Sequence, residues 1–269
     1  MPMEKNIKSL MIIICMIFIY GCNENNPNST DVDNKSKLLF SGDFETGDLS
    51  QWFNNQSCPD AITIVTNPVH SGKYAAKFTV SDDDTKSNCP KSPTDDPRAQ
   101  LLAYKFSEGD EFYFSMSTYF PSDFPFISEW FGIAQIYGPP YGGTPTIGIG
   151  INGDKLQYHV HYDNKHFTLW KSHPIAKGKS WETIILHIKL STDRNVGFVE
   201  LWHNGNKQKL DGKDKYFYPT LVENLNWTSK NGENYLYAQH YRSRNAKLGK
   251  ITIFHDDFLI GKTLQDVMQ

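Results

Sequence analysis

The sequence has 269 residues and a net charge of −3 at pH 7, which excludes a globally basic nucleic-acid-binding protein. Hydrophobic residues make up 39% and charged residues 21% of the chain, so disorder throughout the chain is excluded as well. Because single all-β domains often reach about 200–250 residues, one large β domain is the first expectation.

The N-terminal segment predicts an exported lipoprotein. Basic residues precede the apolar run 10–19, which is too short to span a bilayer as a helix, and residues 19–22 (Ile-Tyr-Gly-Cys) resemble a bacterial lipobox. We therefore expect a signal peptide over residues 1–21, a lipid on Cys22, and a polar tether over residues 22–37. The expected location is the cell envelope, at the periplasmic or the outer surface. An ordinary signal peptide with a chance cysteine is the alternative.

Two cysteines, Cys58 and Cys89, remain in the expected mature protein. An even pair in an oxidising compartment predicts one disulfide, and two free thiols are the alternative. A metal site is less favoured because neither cysteine belongs to a CxxC pair or has a histidine nearby. Closing the loop would stabilise the domain by about 3–4 kcal/mol in the chain-entropy model.

Alternation of apolar and polar residues predicts strands through the rest of the chain. Asn-Gly pairs at 152–153 and 204–205 predict hairpin turns, and the only expected helix is a short one near the C-terminus. This pattern predicts an all-β, two-sheet sandwich or jelly roll over residues 38–269. The predicted strands cover residues 98–106, 111–120, 130–137, 146–151, 155–162, 183–190, 196–203, 234–242 and 251–260.

Polar and aromatic side chains recur on one side of four predicted strands, because residues two apart share a face. Planar aromatic rings stack on sugars, and amide and guanidinium groups bind hydroxyls and carboxylates. The face is therefore suited to a sugar-binding groove, although an ordinary solvent-facing surface is the alternative. The residues are Arg98, Gln100, Gln135, Tyr137, Gln157, His159, His161, Tyr237, Gln239 and Tyr241.

Several motifs along residues 40–261 carry a family resemblance. They include Asp43–Trp52 (DFETGDLSQW), Arg98–Leu101 (RAQL), Ala134–Gly138 (AQIYG), Tyr237–Arg242 (YAQHYR) and Asp256–Phe258 (DDF). In this order they resemble the heparin lyase I-like polysaccharide lyases. These have a concanavalin-like jelly roll and are also similar to glucuronan and alginate lyases.

The resemblance implies β-elimination on a uronic-acid-containing polysaccharide. Gln135 matches the family glutamine that helps to neutralise the substrate carboxylate, and Arg98 matches the arginine of the groove. Tyr241 matches the tyrosine that serves as acid. Tyr137 stands in place of a catalytic histidine, and Tyr237 in place of a lysine, which argues against heparin as the substrate.

The base in such a reaction is left open by the sequence. Tyr137 is one candidate, and three histidines are candidates to replace the missing one: His159, His161 and His240. Arg242 is expected in the groove as well, beside the tyrosines and Gln239.

Two other functions share the same expected fold. A non-catalytic carbohydrate-binding surface lipoprotein would use the same groove and would explain the departures from the family motifs. A glycoside hydrolase would need two carboxylates facing one cleft, and no closely spaced pair occurs on a predicted strand.

The expected partners are an acidic polysaccharide and, through Cys22, a membrane; we expect a monomer that does not bind nucleic acid. The chemistry needs no cofactor. The resemblance to related sandwiches implies a structural calcium ion between the first and last strands, near Glu45 and Asp257, whose carboxylate oxygens suit calcium; the alternative is that both residues are surface caps.

Overall fold

The computed structural model describes residues 38–85, 95–137, 145–221 and 234–268. Within these ranges the strands form two antiparallel sheets, and one short helix, α1 (Leu264–Val267), lies near the C-terminus. No helix in the described ranges is long and apolar enough to cross a bilayer. The predicted signal peptide, the lipidated Cys22 and the tether fall outside the described residues.

Nine strands form the first sheet. Seven run in the order β13-β12-β11-β6-β16-β4-β3, while β1 pairs with β16 and β14 pairs with β12. The strands are β1 (Leu38–Gly42), β3 (Ile62–Val65), β4 (Ala75–Val80), β6 (Glu111–Tyr119), β11 (Trp181–Lys189), β12 (Phe198–His203), β13 (Asn206–Gln208), β14 (Tyr216–Phe217) and β16 (Ile251–Gly261).

Seven strands form the second sheet, in the order β10-β9-β8-β7-β15-β5-β2. Its middle strands are distant in sequence, so residues from four separate segments become neighbours on one face. The strands are β2 (Asn54–Gln56), β5 (Arg98–Phe106), β7 (Ile127–Tyr137), β8 (Ile147–Gly153), β9 (Lys155–Tyr162), β10 (Lys165–Pro174) and β15 (Asn234–Arg242).

The hydrophobic core lies between the two sheets. Phe112, Phe114 and Met116 of β6 and the isoleucines of β8 are buried at alternate positions, as period-2 patterning requires. The predicted two-sheet jelly-roll sandwich is thereby confirmed. Both hairpins are confirmed too. Asn204 and Gly205 have positive φ angles of 48° and 76°, as the turn that matches strand twist needs. At the other hairpin Asn152 pairs with Lys155, so the turn lies at Gly153, with a φ of 67°, and Asp154.

The strand β10 was not predicted from its sequence. Leu169 and Trp170 are adjacent and yet both buried, because the pairing with β9 shifts register between Thr168 and Trp170. A β-bulge of this kind breaks the alternation on which strand prediction rests. The predicted C-terminal helix is confirmed, and its first turn is capped by reciprocal hydrogen bonds between Thr263 and Asp266.

Only one of the two cysteines of the predicted disulfide lies among the described residues. Cys58 is buried in the core cluster, whereas Cys89 falls outside the described residues. The pairing of the two cysteines therefore stays a prediction.

Candidate active site

A groove of about 600 Å³ lies on the outer face of the seven-stranded sheet. It crosses β7, β8, β9, β10 and β15, so the strand order of this sheet creates it. Five of the predicted site residues line it: Gln135, Gln157, His159, Gln239 and Tyr241. Further lining residues include Asp96, Glu129, Trp130, Gly132, Gly148, His166, Thr168 and Lys171.

Glycines give the groove its depth. In β8 the isoleucines face the core, and the alternate positions on the groove side are Gly148 and Gly150. A Cβ atom on Gly148 would lie 2.1 Å from His159 Nε2, a separation that no real pair of atoms tolerates. The imidazole of His159 therefore lies over β8, in space that Gly148 leaves empty, and reaches toward the strand that carries Gln135.

Three buried glutamines form a row across the groove floor. Gln100 Nε2 donates to Gln239 Oε1 at 2.7 Å, and Gln239 Nε2 donates to Gln135 Oε1 at 3.3 Å. The row crosses β5, β15 and β7, which are neighbours in the sheet but are far apart in sequence. Buried amide groups need hydrogen-bond partners, and each of these two bonds satisfies one donor and one acceptor.

Tyr241 is held between two other side chains. The Arg98 guanidinium carbon lies 4.1 Å from the centre of the Tyr241 ring. The Trp130 ring lies edge-on to the Tyr241 ring, with ring centres 4.8 Å apart. Burial raises the pKa of Tyr241 above its ordinary value, and the charge of Arg98 offsets this only in part. Tyr241 therefore keeps its proton at neutral pH and can act as an acid.

The histidines of β9 and β10 form a cluster at the other side of the groove. The ring centres of His159 and His166 are 4.9 Å apart, and those of His161 and His166 are 5.5 Å apart. Burial, followed by the neighbouring His166 and His161, lowers the pKa of His159 to about 3. Burial also lowers the pKa of His161 and His166. The cluster is therefore neutral near pH 7, so each ring keeps a nitrogen lone pair, and the same burial makes these rings weaker bases than a free imidazole.

Tyr137 and Tyr237 extend the outward face beside Gln135. Tyr237 pairs with Gln135 in the register of β15 and β7, and Tyr137 follows two residues later on β7. Burial, with smaller contributions from Tyr137 and Tyr235, raises the pKa of Tyr237 to about 12. Tyr237 is therefore a neutral hydrogen-bonding side chain at the edge of the groove.

The prediction that His240 and Arg242 contact the substrate is wrong. Both side chains point to the interior of the sandwich and are fully buried. The Arg242 guanidinium donates to Val80 O at 3.2 Å, Asp82 Oδ1 at 2.9 Å and Gly249 O at 2.5 Å, so it fastens the ends of two neighbouring strands.

His240 packs instead against the ring of Phe131, with ring centres 4.6 Å apart. Its burial, with the charge of Arg242 nearby, drives its pKa far below the ordinary value. It cannot stand in for the missing family histidine, because it does not reach the groove.

The sequence did not point to the groove glycines, Trp130 or His166 as site residues. The run Ile-Gly-Ile-Gly-Ile at residues 147–151 carried a signal, since every position on the outer face is glycine. His166 pairs directly with His161 across the hairpin of β9 and β10, so it shares the groove face. That pairing could have been found only if β10 had been predicted as a strand.

Two carboxylates also line the groove, as a hydrolase would require. Asp96, however, accepts a hydrogen bond from the Arg244 backbone at 2.9 Å and pairs with its guanidinium at 3.6 Å. Glu129 is exposed. The pair therefore offers no matched acid and base across a buried centre.

The carboxylates at the expected calcium site already have hydrogen-bond partners. Glu45 Oε1 accepts backbone hydrogen bonds from Lys73 and Tyr74, both at 2.9 Å, and the Asp257 carboxylate is bonded to His70 and Ser71. Among the described residues, no group of three or more His, Cys, Asp or Glu side chains could hold a metal ion. A calcium ion near Glu45 and Asp257 stays a prediction.

The fold is shared with several solved carbohydrate-active proteins. An endo-β-1,4-glucuronan lyase from the fungus Trichoderma reesei matches with a TM-score of 0.62 at 18% identity, over 86% of this chain and 98% of its own. The catalytic domain of a family 131 glycoside hydrolase from Coprinopsis cinerea matches with a TM-score of 0.53 at 12% identity, over 84% and 95%. At these identities the likeness shows the fold alone.

Family membership rests on a different comparison. A search of curated proteins finds no match. A family model described as polysaccharide lyase, however, matches residues 44–258, which is most of the chain and includes all strands that build the groove. The chain therefore belongs to the polysaccharide lyase family.

Proposed function

We propose that this protein cleaves a uronic-acid-containing polysaccharide by β-elimination in the groove. The observation that carries the proposal is the placement of Gln135. It lies between the strand of Tyr241, a protonated acid, and the imidazole of His159, a neutral base. Two strand spacings separate β8 from β15, roughly 10 Å, which is room for one sugar ring. The glucuronan lyase that shares the fold is consistent with such a substrate.

The reaction begins at C5 of the uronic acid. His159 takes the C5 proton, and the electrons of the C5–H bond form the C4=C5 double bond while the bond from C4 to its glycosidic oxygen breaks. Tyr241 gives its proton to the departing oxygen. Each group acts in the protonation state that its surroundings favour at neutral pH. Enolate-like negative charge develops on the oxygens of the substrate carboxylate as the C5 proton leaves.

Gln135 and Arg98 neutralise that carboxylate. The amide of Gln135 faces the groove, and Arg98 lies against Tyr241 with no carboxylate partner among the described residues. Donors and positive charge that are fixed before the reaction stabilise developing negative charge at little reorganisation cost. Lys171 adds positive charge at the far side of the groove and helps to attract a polyanion.

The test is an assay on glucuronan, alginate and heparin. Elimination creates a C4–C5 double bond that absorbs in the ultraviolet, whereas hydrolysis and binding do not. We expect absorbance to rise with at least one polymer. The variants His159→Gln and Tyr137→Phe then separate the two candidate bases, and we expect the larger loss from His159→Gln. If no polymer gives an unsaturated product, elimination is wrong and a binding function remains.

We also propose that the mature protein is anchored in the cell envelope through Cys22. The lipobox-like residues 19–22 and the polar segment that follows them support this. A labelled fatty acid should be incorporated when the full chain is expressed in bacteria. The variant Cys22→Ser should prevent incorporation and leave an unprocessed precursor.

A further inference from the structure

We infer that Gln100 and Gln239 are positioning residues that fix which end of the Gln135 amide faces the substrate. This inference rests on the proposed function, because it assigns the carboxylate-binding donor of the same groove. Nothing in the sequence indicates that Gln100 and Gln239 act together. The inference predicts how the groove distinguishes an acidic sugar from a neutral one.

The direction of the glutamine row carries the inference. A carboxamide has a donating nitrogen end and an accepting oxygen end, so two bonds in series impose one polarity on the whole row. Gln100 donates to Gln239, and Gln239 donates to Gln135 Oε1, at 2.7 and 3.3 Å. The oxygen of Gln135 is thereby occupied. Its nitrogen donates to no described residue and is left for a ligand in the groove.

This polarity matters for an anion. A substrate carboxylate can only accept hydrogen bonds, so it is attracted to the Gln135 nitrogen and would be repelled by the oxygen. A free glutamine on a surface can turn its amide over at small cost. The row removes that freedom, because turning Gln135 would place its amide nitrogen against Gln239 Nε2 and leave that buried donor without an acceptor.

The fold makes a space for the row. A Cβ atom on Gly132 would lie 2.6 Å from Gln239 Nε2, so only glycine at this position lets the Gln239 amide reach Gln135. Gly132 pairs with Tyr241 in the register of β7 and β15, where a register shift separates Ala238 from Tyr241. The Gln239 side chain lies over Gly132 at this shift in the pairing of β15 with β7, whereas β15 stays in register with β5 from Tyr237 to Tyr241.

A buried histidine, His255, contacts the backbone of Gln239 from the core side of β15. His255 Nε2 lies 3.1 Å from Gln239 O, and His255 Nδ1 lies 3.0 Å from the Thr118 hydroxyl. Burial keeps His255 neutral, so it donates through Nε2 and accepts through Nδ1. The backbone of Gln239 is thus fastened across the core to the opposite sheet, and its side chain is fastened along the groove floor.

The experiment measures how well the protein distinguishes a glucuronate oligosaccharide from the same oligosaccharide with reduced, neutral carboxyl groups. Binding is followed by titration calorimetry in the Tyr241→Phe background, and ultraviolet absorbance is monitored so that cleavage would be seen. Gly132→Ala breaks the row without changing charge. The other atoms near the new methyl group would be 3.7 and 3.8 Å away, so the backbone has room. Gln239→Met breaks the row at its centre.

We expect both variants to bind the acidic oligosaccharide about tenfold more weakly and the neutral one within twofold of the parent. Gln157→Met is the matched control, because Gln157 lines the groove outside the row, and it should weaken both ligands alike. Thermal unfolding should show that all variants are folded.

An unchanged preference for the acidic ligand in both Gly132→Ala and Gln239→Met would overturn the role of the row. A wild-type protein that makes no unsaturated product from any polymer would instead overturn the proposed function. The two failures are distinguishable because the first is read from binding and the second from cleavage.

Discussion

At the scale of single residues, protonation states assign the roles in the groove. Tyr241 and His159 are both half-buried, and desolvation disfavours the charged form of each. The tyrosine therefore stays an acid and the histidine stays a base. A tyrosinate base near pH 7 would require its pKa to fall by about three units, which costs roughly 4 kcal/mol, whereas the surroundings of Tyr241 push its pKa the other way.

The first prediction concerns the acid. Tyr241→Phe should lower kcat by about 10²- to 10⁴-fold, the usual contribution of a general acid, and should change KM little because the ring and its contacts remain. Tyr113→Phe is the control, since Tyr113 packs against His187 on the other sheet. Equal activity of Tyr241→Phe and the wild type would remove Tyr241 from the reaction.

The sequence predicted this residue-scale chemistry unevenly. Gln135 and Tyr241 followed from motifs and from their shared strand faces, and both line the groove. Arg242 and His240 were misplaced, although alternation along β15 already put them on the side of Leu236 and Ala238. Arginine is seldom fully buried, and only the facing carbonyls and Asp82 make its burial here tolerable.

At the scale of single elements, β8 contributes to the groove because it has glycines, Gly148 and Gly150, on its groove side. Its glycines open the floor of the groove and let the ring of His159 cross from β9 toward β7. Strand β15 keeps Gln239 and Tyr241 on the groove face by alternation, in register with β5 on one side and beside β7 on the other. Both devices depend on neighbours that come from other parts of the chain.

The second prediction tests the space above β8. Gly148→Ala should displace the His159 ring and lower kcat at least tenfold, with the domain still folded. In the double variant Gly148→Ala/His159→Ala, the loss should be no larger than in His159→Ala alone, because both changes remove the same base. Losses that multiply would show that Gly148 acts independently of His159.

The third prediction concerns the end of β15. Arg242→Met should lower the free energy of unfolding by about 3–5 kcal/mol, since it leaves Asp82 and two carbonyls without their donor. Chemical denaturation measures this change. Below the unfolding transition, KM should match that of the wild type, because the guanidinium lies in the interior. A raised KM with unchanged stability would contradict the interior position and indicate that Arg242 contacts the substrate.

At the scale of the whole molecule, the core and the groove hold an unusual number of neutral imidazoles. Burial lowers the pKa of His159 to about 3 and that of His255 to about 4, and it drives the pKa of His240 far below its ordinary value. Each of them stays neutral while the protein is folded at mildly acidic pH. Stability must therefore depend on pH.

The fourth prediction is a loss of stability in mild acid. Below pH 6.5 the unfolded chain protonates His159, His240 and His255, whereas the folded protein does not, so unfolding takes up protons. Asp256 acts in the opposite direction, because burial and Asp257 raise its folded-state pKa to about 7. For these four groups the net uptake on unfolding is two protons, three on the histidines minus one from Asp256, which corresponds to about 3 kcal/mol per pH unit. The lowered pKa values of His161 and His166 add to this uptake, and the pKa of His70, which its hydrogen bond to Asp257 raises, reduces it.

Melting temperatures measured between pH 7 and pH 4.5 check this prediction. The melting temperature should fall steadily below pH 6.5, and the decline should be shallower in His255→Gln, which has one fewer buried imidazole. A melting temperature that stays constant over this range would contradict the placement of these histidines.

The sequence by itself determined most of the long strands, both hairpins and the outward faces, because alternation and Gly-containing turns are local properties of the chain. It did not determine β10, where a bulge breaks the alternation, or the strands before residue 98. It also carried the family motifs, and the predicted family is confirmed. Tertiary structure decided which faces meet. The order β9-β8-β7-β15-β5 sets His159 over Gly148 and joins Gln100, Gln239 and Gln135, and no local pattern encodes these contacts because the strands that make them are distant in sequence.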